Sequence, residues 1–448
     1  MGLGLLGRGV ADVAFLAECG AELLVTDLKT EKELASSLSQ LQNFKTSKPL
    51  NFVLGKHRLE DFRDRDFILK GAGVPLDSPF IAEARKHGVP IEMDASLFLK
   101  LAPEICFIGI TGTRGKTTTT SLLYEILKTA GKRTHLAGNI KGIATLPLLK
   151  KVKKGDFVVA ELDSWQLQGF HDAKISPQVA VFTTFLPDHL NYYKGDLDRY
   201  FSDKENIYKY QKPGDSFVVG EDVASRIKNS KVKFKIARRS DVPAGWKLKI
   251  LGEHNRLNVA CAIVAGRELR ISDSVIKKAV ESFKAVPGRL QYLKTIRGVK
   301  VYNDNNATTP DATIVALRAL STKSEIRNPK QIQNPKSQKG KNIILIMGGA
   351  DKGLDMSGLV EEMPRHCKAV VFLKGTGTKK LIINYQLSII NQFPIFKKET
   401  LKECVEEALR LAKKGDIVLF SPAFASFGKW FKNEYDRGEQ FVKLVSRL

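Results

Sequence analysis

Residues 105–123, Ile-Cys-Phe-Ile-Gly-Ile-Thr-Gly-Thr-Arg-Gly-Lys-Thr-Thr-Thr-Thr-Ser-Leu-Leu, constrain the fold of this chain more than any other stretch. The apolar run from Ile105 to Ile110 reads as a buried strand, the turn from Thr111 to Gly115 is rich in small residues, and a helical pattern runs from Thr117 to about Ala130. Strand, glycine turn and helix in that order form a phosphate loop. Gly112 and Gly115 let backbone N–H groups turn inward around phosphate oxygens, Lys116 adds a positive charge, and the Thr117 hydroxyl can hold Mg²⁺. Thr113, Arg114 and Thr118 complete the expected nucleotide-binding stretch. The strict loop spacing would place its first glycine at position 110, which is Ile110, so the match is to a shorter variant, T-G-T-x-G-K-T.

A chain of 448 residues is too long for one core, and two or three domains are expected. No apolar stretch approaches the roughly 20 residues needed to span a bilayer, and the N-terminus lacks a signal-peptide pattern, so a cytoplasmic protein without a membrane partner is expected. Cys19, Cys106, Cys261, Cys367 and Cys404 are scattered without a C-x-x-C pair, which argues against zinc or a disulfide framework and for buried small apolar residues. The net charge of +24 raises nucleic-acid binding as a possibility. The lysines are spread along the chain among Glu and Asp, with no aromatic RNA-binding signature, so a generally basic surface without a nucleic-acid partner is the preferred reading. Polyanionic small substrates would still feel that field.

Ahead of the loop, residues 2–9 contain G-x-G-x-x-G, followed by a helical stretch to about Cys19 and a strand from Glu22 to Thr26 that ends at Asp27. This is a dinucleotide-type fingerprint with its acidic residue, but such a turn should follow a strand, so the first strand of this layer is expected to be missing. Alternation continues with a strand at Asp66–Lys70, a helix at Pro79–Lys86 and a strand at Pro90–Glu92. After the loop helix, the strand Phe157–Ala160 runs into Glu161-Leu162-Asp163-Ser164-Trp165-Gln166-Leu167, where Glu161 is placed as a Mg²⁺-binding acid is expected beside a phosphate loop. The run Val179–Thr183 leads to Leu186-Pro187-Asp188-His189-Leu190, and Lys204 follows on a helix 15 residues after His189. Taken singly, His189 reads as a hydrogen-bonded loop histidine and Lys204 as a solvated helix lysine.

Phosphate loop, E-L-x-S-x-Q-L, D-H-L and helical lysine, in this order and spacing, resemble the Mur ligase family, amide-forming enzymes of cell-wall assembly, which usually carry asparagine where this chain has Arg114. The resemblance runs on through Gly252-Glu253-His254-Asn255-Arg256-Leu257-Asn258, Pro287-Gly288-Arg289, the segment Asn303 to Thr313, and Ser421-Pro422-Ala423-Phe424-Ala425-Ser426-Phe427. It implies Thr117, Glu161, His189 and Lys204 as metal-site residues, with Lys204 bearing a carbamate formed from CO₂, and about two Mg²⁺ ions. It further implies Asn258 near the adenine, Asp304 on the ribose and Arg289 on the γ-phosphate. Asn306 stands where the family usually has lysine. Lys116, Glu161, His189, Lys204 and Arg289 are the expected catalytic set. Substrate contacts are expected from Gly4, Leu5, Leu6, Asp27, Asn139, Gln166, Thr308, Lys352, Ser426 and Phe427.

The fold implied is α/β in three domains. A Rossmann-like UDP-substrate domain at 1–100, a phosphate-loop ATP domain at 101–286 and a second Rossmann-like, amino-acid-binding domain at 287–448 are expected, with 321–341 as a polar surface insertion without a catalytic role. The activity implied is ATP-dependent addition of D-glutamate to UDP-N-acetylmuramoyl-L-alanine through an acyl phosphate, by a monomer. Three alternatives stay open. A folylpolyglutamate synthase would not need the layer ahead of the loop, a dehydrogenase would leave the loop unused, and a basic nucleic-acid-binding ATPase would leave D-H-L and S-P-A-x-A-S unexplained.

Overall fold

In a computed structural model of the chain, all residues are described except Leu6, Asn43, 45–47, Pro103, Asn229, 326–340, Asn391 and 427–430; of residues 190, 322–325 and 386–390 only the backbone is described. Two of the expected substrate residues, Leu6 and Phe427, and most of the expected insertion therefore lie outside the described residues. The chain divides into two compact units, one of Met1–Trp246 with Leu257–Glu281, the other of Lys247–Arg256 with Ser282–Leu448.

The strands of the first unit are β1 (Leu23–Asp27), β2 (Leu50–Leu54), β3 (Ile68–Leu69), β4 (Ile91–Glu92), β5 (Cys106–Thr111), β6 (Thr134–Gly138), β7 (Phe157–Glu161), β8 (Val179–Phe182), β9 (Ser216–Gly220) and β10 (Phe234–Ala237). Strand β5 is central in a parallel sheet of order β10-β9-β8-β5-β7-β6. Such a sheet is covered on both faces, which is why its strands read as continuous apolar runs. Phe107, Val158, Ala160 and Phe182 pack with Phe98, Leu167 and Phe170 on one face. The alternate residues Ile108, Ile110, Val159 and Val181 are also fully buried. The long helix Lys116–Thr129 returns along β5, β6 and β7.

The N-terminal layer consists of two parallel pairs, β1 with β2 and β3 with β4. Met1 and Gly2 occupy the position between them. The Gly2 N–H donates to Thr26 O at 2.8 Å, the Met1 amine to Leu69 O at 3.0 Å, and the Gly71 N–H to Met1 O at 2.9 Å. Beyond these rungs a groove of about 950 Å³ runs between Leu23–Val25 and Phe67–Leu69. The expected strand at Asp66–Lys70 is accordingly reduced to two residues, because the parallel neighbour that would extend it covers only two positions.

In the second unit β11 (Gln291–Ile296), β12 (Val299–Asn303), β13 (Ile343–Met347), β14 (Cys367–Leu373), β15 (Ile395–Lys398) and β16 (Ile417–Phe420) form a sheet of order β11-β12-β16-β13-β14-β15. All pairs are parallel except β11 with β12. Separate apolar clusters cover its two faces, one around Leu317, Leu345 and Phe372, the other around Ile346, Val371 and Phe441. The helix Pro310–Glu325 runs past residue 321, so the first residues of the expected insertion are helical. Of the five cysteines, Cys261, Cys367 and Cys404 are buried as expected, whereas Cys106, the first residue of β5, is half-buried and Cys19 is exposed. Cys19 caps the helix Arg8–Glu18 and so falls past its buried face. No helix among the described residues is long and apolar enough to cross a membrane.

Candidate functional site

The phosphate loop joins β5 to the helix Lys116–Thr129. Gly112 and Gly115 have φ of 146° and 87°, a region in which side chains are strained. Space forbids a side chain as well. A Cβ on Gly112 would lie 2.1 Å from Thr183 Oγ1, and one on Gly115 2.1 Å from Asn258 Oδ1. The loop is thus pressed between the end of β8 and the helix that carries Asn258, and Thr119 Oγ1 donates to Asn258 O at 3.3 Å. Residues outside the motif fix its path. The Arg114 carbonyl accepts from Thr183 Oγ1 (2.6 Å) and Thr184 Oγ1 (3.0 Å), while the Thr113 hydroxyl takes the Leu186 N–H at 3.0 Å and lies 3.2 Å from the Tyr200 hydroxyl. Arg114 Nη1 reaches Asp188 Oδ2 at 3.2 Å.

Lys116 folds back over its own loop, donating to Gly112 O at 2.9 Å and Thr113 O at 3.3 Å. Lys204, 1% exposed on the helix Leu197–Glu205, donates to the same Gly112 carbonyl at 3.2 Å. Two lysines on one carbonyl repel each other. Burial first, and the Lys116 charge second, hold the Lys204 amine well below the ordinary lysine range. The Tyr200 ring lies 4.8 Å from Lys204 Nζ, four residues back and hence on the same helix face. His189 has φ 54° and sits against Trp165, with ring centroids 4.8 Å apart; burial lowers its pKa and Asp188 opposes that shift. Glu161 ends β7 opposite Ile110 of β5, one strand from the loop, and is 4% exposed. Gln166 lies one turn on, its side chain taking the Asp163 N–H in a capping box.

These donors fit Mg²⁺ in a limited way. Thr117 and Glu161 offer hard oxygens, which suits an ion held mainly by nucleotide phosphates and one or two protein groups. Among the described residues no cluster of three or more His, Cys, Asp and Glu forms a protein-only cage. Lys204 as an amine would oppose a cation; with a carboxylate added to its nitrogen it becomes an oxygen donor.

At the glycine turn, Asp27 accepts the Gly4 N–H (3.0 Å) and the Lys29 N–H (2.8 Å), so its carboxylate orders the turn itself. Leu5 is exposed, and Ser37 Oγ donates to Gly4 O. The Asn139 N–H donates to Glu161 O at 2.7 Å, and Arg8 Nη2 donates to Asn139 Oδ1 at 2.7 Å. Sequence reasoning missed Arg8. A cation at the start of a helix opposes the helix dipole, and that was the available sign of a specific partner. Thr183, Thr184, Asp188 and Tyr200 were quoted or passed over without a role, because only the fold brings them to the loop.

In the second unit, the Asp304 carboxylate accepts the Leu290 N–H and the Ser421 hydroxyl, each at 2.9 Å, and burial pushes it up to about 7. Arg289 precedes Leu290 in the Pro-Gly-Arg turn, its N–H donating to Val286 O. Asn306 Nδ2 lies 3.4 Å from Pro287 O. Lys352 Nζ donates to Thr308 Oγ1 at 3.0 Å. Ala350 and Ala425 exchange two backbone hydrogen bonds, which brings the loops carrying Lys352 and Ser426 side by side. Ser426 is 4% exposed, and its Oγ has no hydrogen-bond partner among the described residues. A buried hydroxyl in that condition is suited to accept or donate a bond to a ligand.

Residues 110–238 match the Mur ligase middle domain and residues 288–424 the Mur ligase glutamate ligase domain. A UDP-N-acetylmuramoylalanine--D-glutamate ligase of Roseiflexus sp. (strain RS-1) is 34% identical over 99% of this chain and 97% of its own length. One of Borreliella afzelii (strain PKo) is also 34% identical, over 100% and 97%. Among solved structures, UDP-N-acetylmuramate-alanine ligase MurC from Thermotoga maritima superposes with a TM-score of 0.61 at 22% identity, covering 100% of this chain and 98% of that one, a likeness of fold.

Proposed function

The chain belongs to the Mur ligase family, and from that premise we infer that it is an ATP-dependent ligase joining D-glutamate to UDP-N-acetylmuramoyl-L-alanine in peptidoglycan precursor synthesis. The observation that carries the reading is the meeting of Lys116 and Lys204 at the Gly112 carbonyl, inside a turn of phosphate-binding geometry. The terminal carboxylate oxygen of the UDP substrate attacks the ATP γ-phosphorus, ADP leaves, and an acyl phosphate forms. The amine of D-glutamate then adds to the acyl carbon. The tetrahedral intermediate expels phosphate with the C–O bonding electrons, and the nitrogen loses a proton to leave the amide.

The loop amides and Lys116 bind the ATP phosphates, and Arg289 offsets charge on the transferring group. Asn258 and Asp304 take the adenosine, Gly4, Leu5, Leu6, Asp27, Asn139 and Gln166 the UDP substrate. Thr117, Glu161 and His189, with Lys204 as a carbamate, would hold Mg²⁺, which when bound would polarise phosphoryl and carboxylate oxygens. The carbamate arises when the neutral Lys204 amine adds to CO₂ and releases one proton. Residues 1–100, 101–286 and 287–448 serve the UDP substrate, ATP and the amino acid respectively. The protein acts as a cytoplasmic monomer.

Phosphate release with ATP, Mg²⁺ and UDP-N-acetylmuramoyl-L-alanine, adding amino acids one at a time, tests the assignment. Release that depends on L-lysine or meso-diaminopimelate instead of D-glutamate would move the chain to another branch of the family. Lys352 is assigned to the distal carboxylate of the amino acid, with Thr308, Ser426 and Phe427 beside it. Lys352→Ala is expected to raise the KM for D-glutamate about 10–100-fold with little change for ATP, since one hydrogen bond to a charged group is lost from one substrate only. Steady-state kinetics with each substrate varied in turn checks this.

A further inference from the structure

Arg437, on the C-terminal helix Glu434–Ser446, is among the largest side chains of the chain that are wholly buried, with 0% exposure. It has no ion-pair partner among the described residues. Its three hydrogen bonds among the described residues all go to neutral acceptors, from Nε to Asn305 Oδ1 (2.8 Å), from Nη2 to Asn305 O (3.1 Å) and from Nη1 to Phe424 O (3.2 Å). Carbonyls recover only part of a buried guanidinium's lost hydration, and the Glu434 carboxylate offsets only part of the remainder, so this placement costs stability. Burial lowers the guanidinium to about 10, so it is still charged at neutral pH.

What the fork holds explains why it is there. Asn305 lies three residues before Thr308, on the segment that follows β12. Phe424 lies two residues before Ser426, on the loop that Ala425 pins to Ala350. A planar guanidinium bonding both segments sets their separation, as an ammonium with tetrahedral donors cannot. Arg437 and Ser426 also line one cavity of about 820 Å³, together with Gly349, Ala350 and Thr376. The helix itself presses on the same segment, since a Cβ on Gly438 would lie 2.8 Å from Asn305 Nδ2.

We propose that Arg437 is a positioning residue of the amino-acid site, fixing the distance between Thr308 and Ser426 by holding Asn305 and the Phe424 carbonyl in one fork. This rests on the reading above that Thr308 and Ser426 take the carboxylates of the incoming amino acid. It assigns specificity to a side chain that does not touch the substrate.

The test is steady-state phosphate release by the full chain carrying Arg437→Lys, Arg437→Met or Gly438→Ala, with D-glutamate, ATP and the UDP substrate varied separately and the melting temperature recorded. Arg437→Lys keeps the charge and loses the fork; it is expected to raise the KM for D-glutamate about tenfold while the KM for ATP stays within about twofold. Gly438→Ala keeps the fork but displaces Asn305, and a smaller rise in the same constant is expected without loss of the helix. Equal changes in all three KM values, or an unchanged KM for D-glutamate in a folded Arg437→Lys protein, would overturn the proposal and leave Arg437 as a core residue. Should Arg437→Met fail to fold, the other two variants decide. A wild-type protein that ligates a different amino acid refutes the D-glutamate reading, and the same comparison run on that amino acid then decides the role of Arg437.

Discussion

Lys204→Ala is expected to lower ligation by about 10²–10³-fold or more while leaving ATP binding close to that of the unaltered protein. The two halves of that expectation come from different bonds. In the proposed function ATP phosphates are assigned to Lys116 and the amides of the loop from Gly112 to Gly115, and none of these is removed. What is lost is a buried amine that donates to Gly112 O and is driven towards its neutral form by burial and by Lys116. A neutral amine is the form that adds CO₂, so if the proposed carbamate forms, turnover of the original protein should fall on CO₂ depletion and that of the variant should not change. Kinetics with and without CO₂ depletion, beside nucleotide binding by calorimetry, measure both halves. Full turnover by Lys204→Ala, or by the original protein after prolonged depletion, would rule the carbamate out.

The same group has a stability signature whose sign is fixed by its depressed pKa. As pH falls from the ordinary lysine range, the unfolded chain takes up the proton before the folded one does, so folding loses stability until the depressed value is reached. Lys204→Met lacks this titration. Its melting temperature relative to the original should therefore rise as pH is lowered through that window and level off below it. A difference independent of pH would mean that Lys204 keeps its proton in the folded protein.

Replacement of Lys116 by alanine should act earlier in the reaction and lower kcat/KM by about 10³-fold, with weakened ATP binding. Of the two cationic side chains at the loop, Arg114 is directed to Asp188, whereas Lys116 Nζ stands over the loop itself through Gly112 O and Thr113 O. Its removal also relieves the Coulomb repulsion on Lys204, whose pKa should move back towards the ordinary range. The two variants thus separate the roles. Lys204→Ala binds ATP and does not ligate, whereas Lys116→Ala binds ATP poorly. Comparable ATP affinity in both would show that the loop amides alone hold the nucleotide.

The strand–loop–helix unit was legible in the sequence to within a residue, expected as Ile105–Ile110 and Thr117–Ala130 and found as Cys106–Thr111 and Lys116–Thr129. A buried parallel strand must be apolar throughout, a phosphate turn must have glycine where side chains would clash, and both demands are written in consecutive residues. The strand expected at Phe157–Ala160 was readable for the same reason and is found as Phe157–Glu161. The site residues of D-H-L and the helical lysine came from order and spacing within a family, not from their own chemistry; singly, His189 and Lys204 read as ordinary.

Tertiary structure alone decided the rest. It set Lys204 1% exposed against the carbonyl that also receives Lys116, it closed Thr183 and Thr184 over the Arg114 carbonyl from 69 or 70 residues away, and it brought Arg437 to Asn305 across 132 positions. It also reduced the strand before Lys70 to two residues, because a strand's length is set by the neighbour it pairs with. Local preference and period determine which segments become strand, turn or helix; burial and charge depend on what arrives from elsewhere in the chain, and no window of sequence contains both partners.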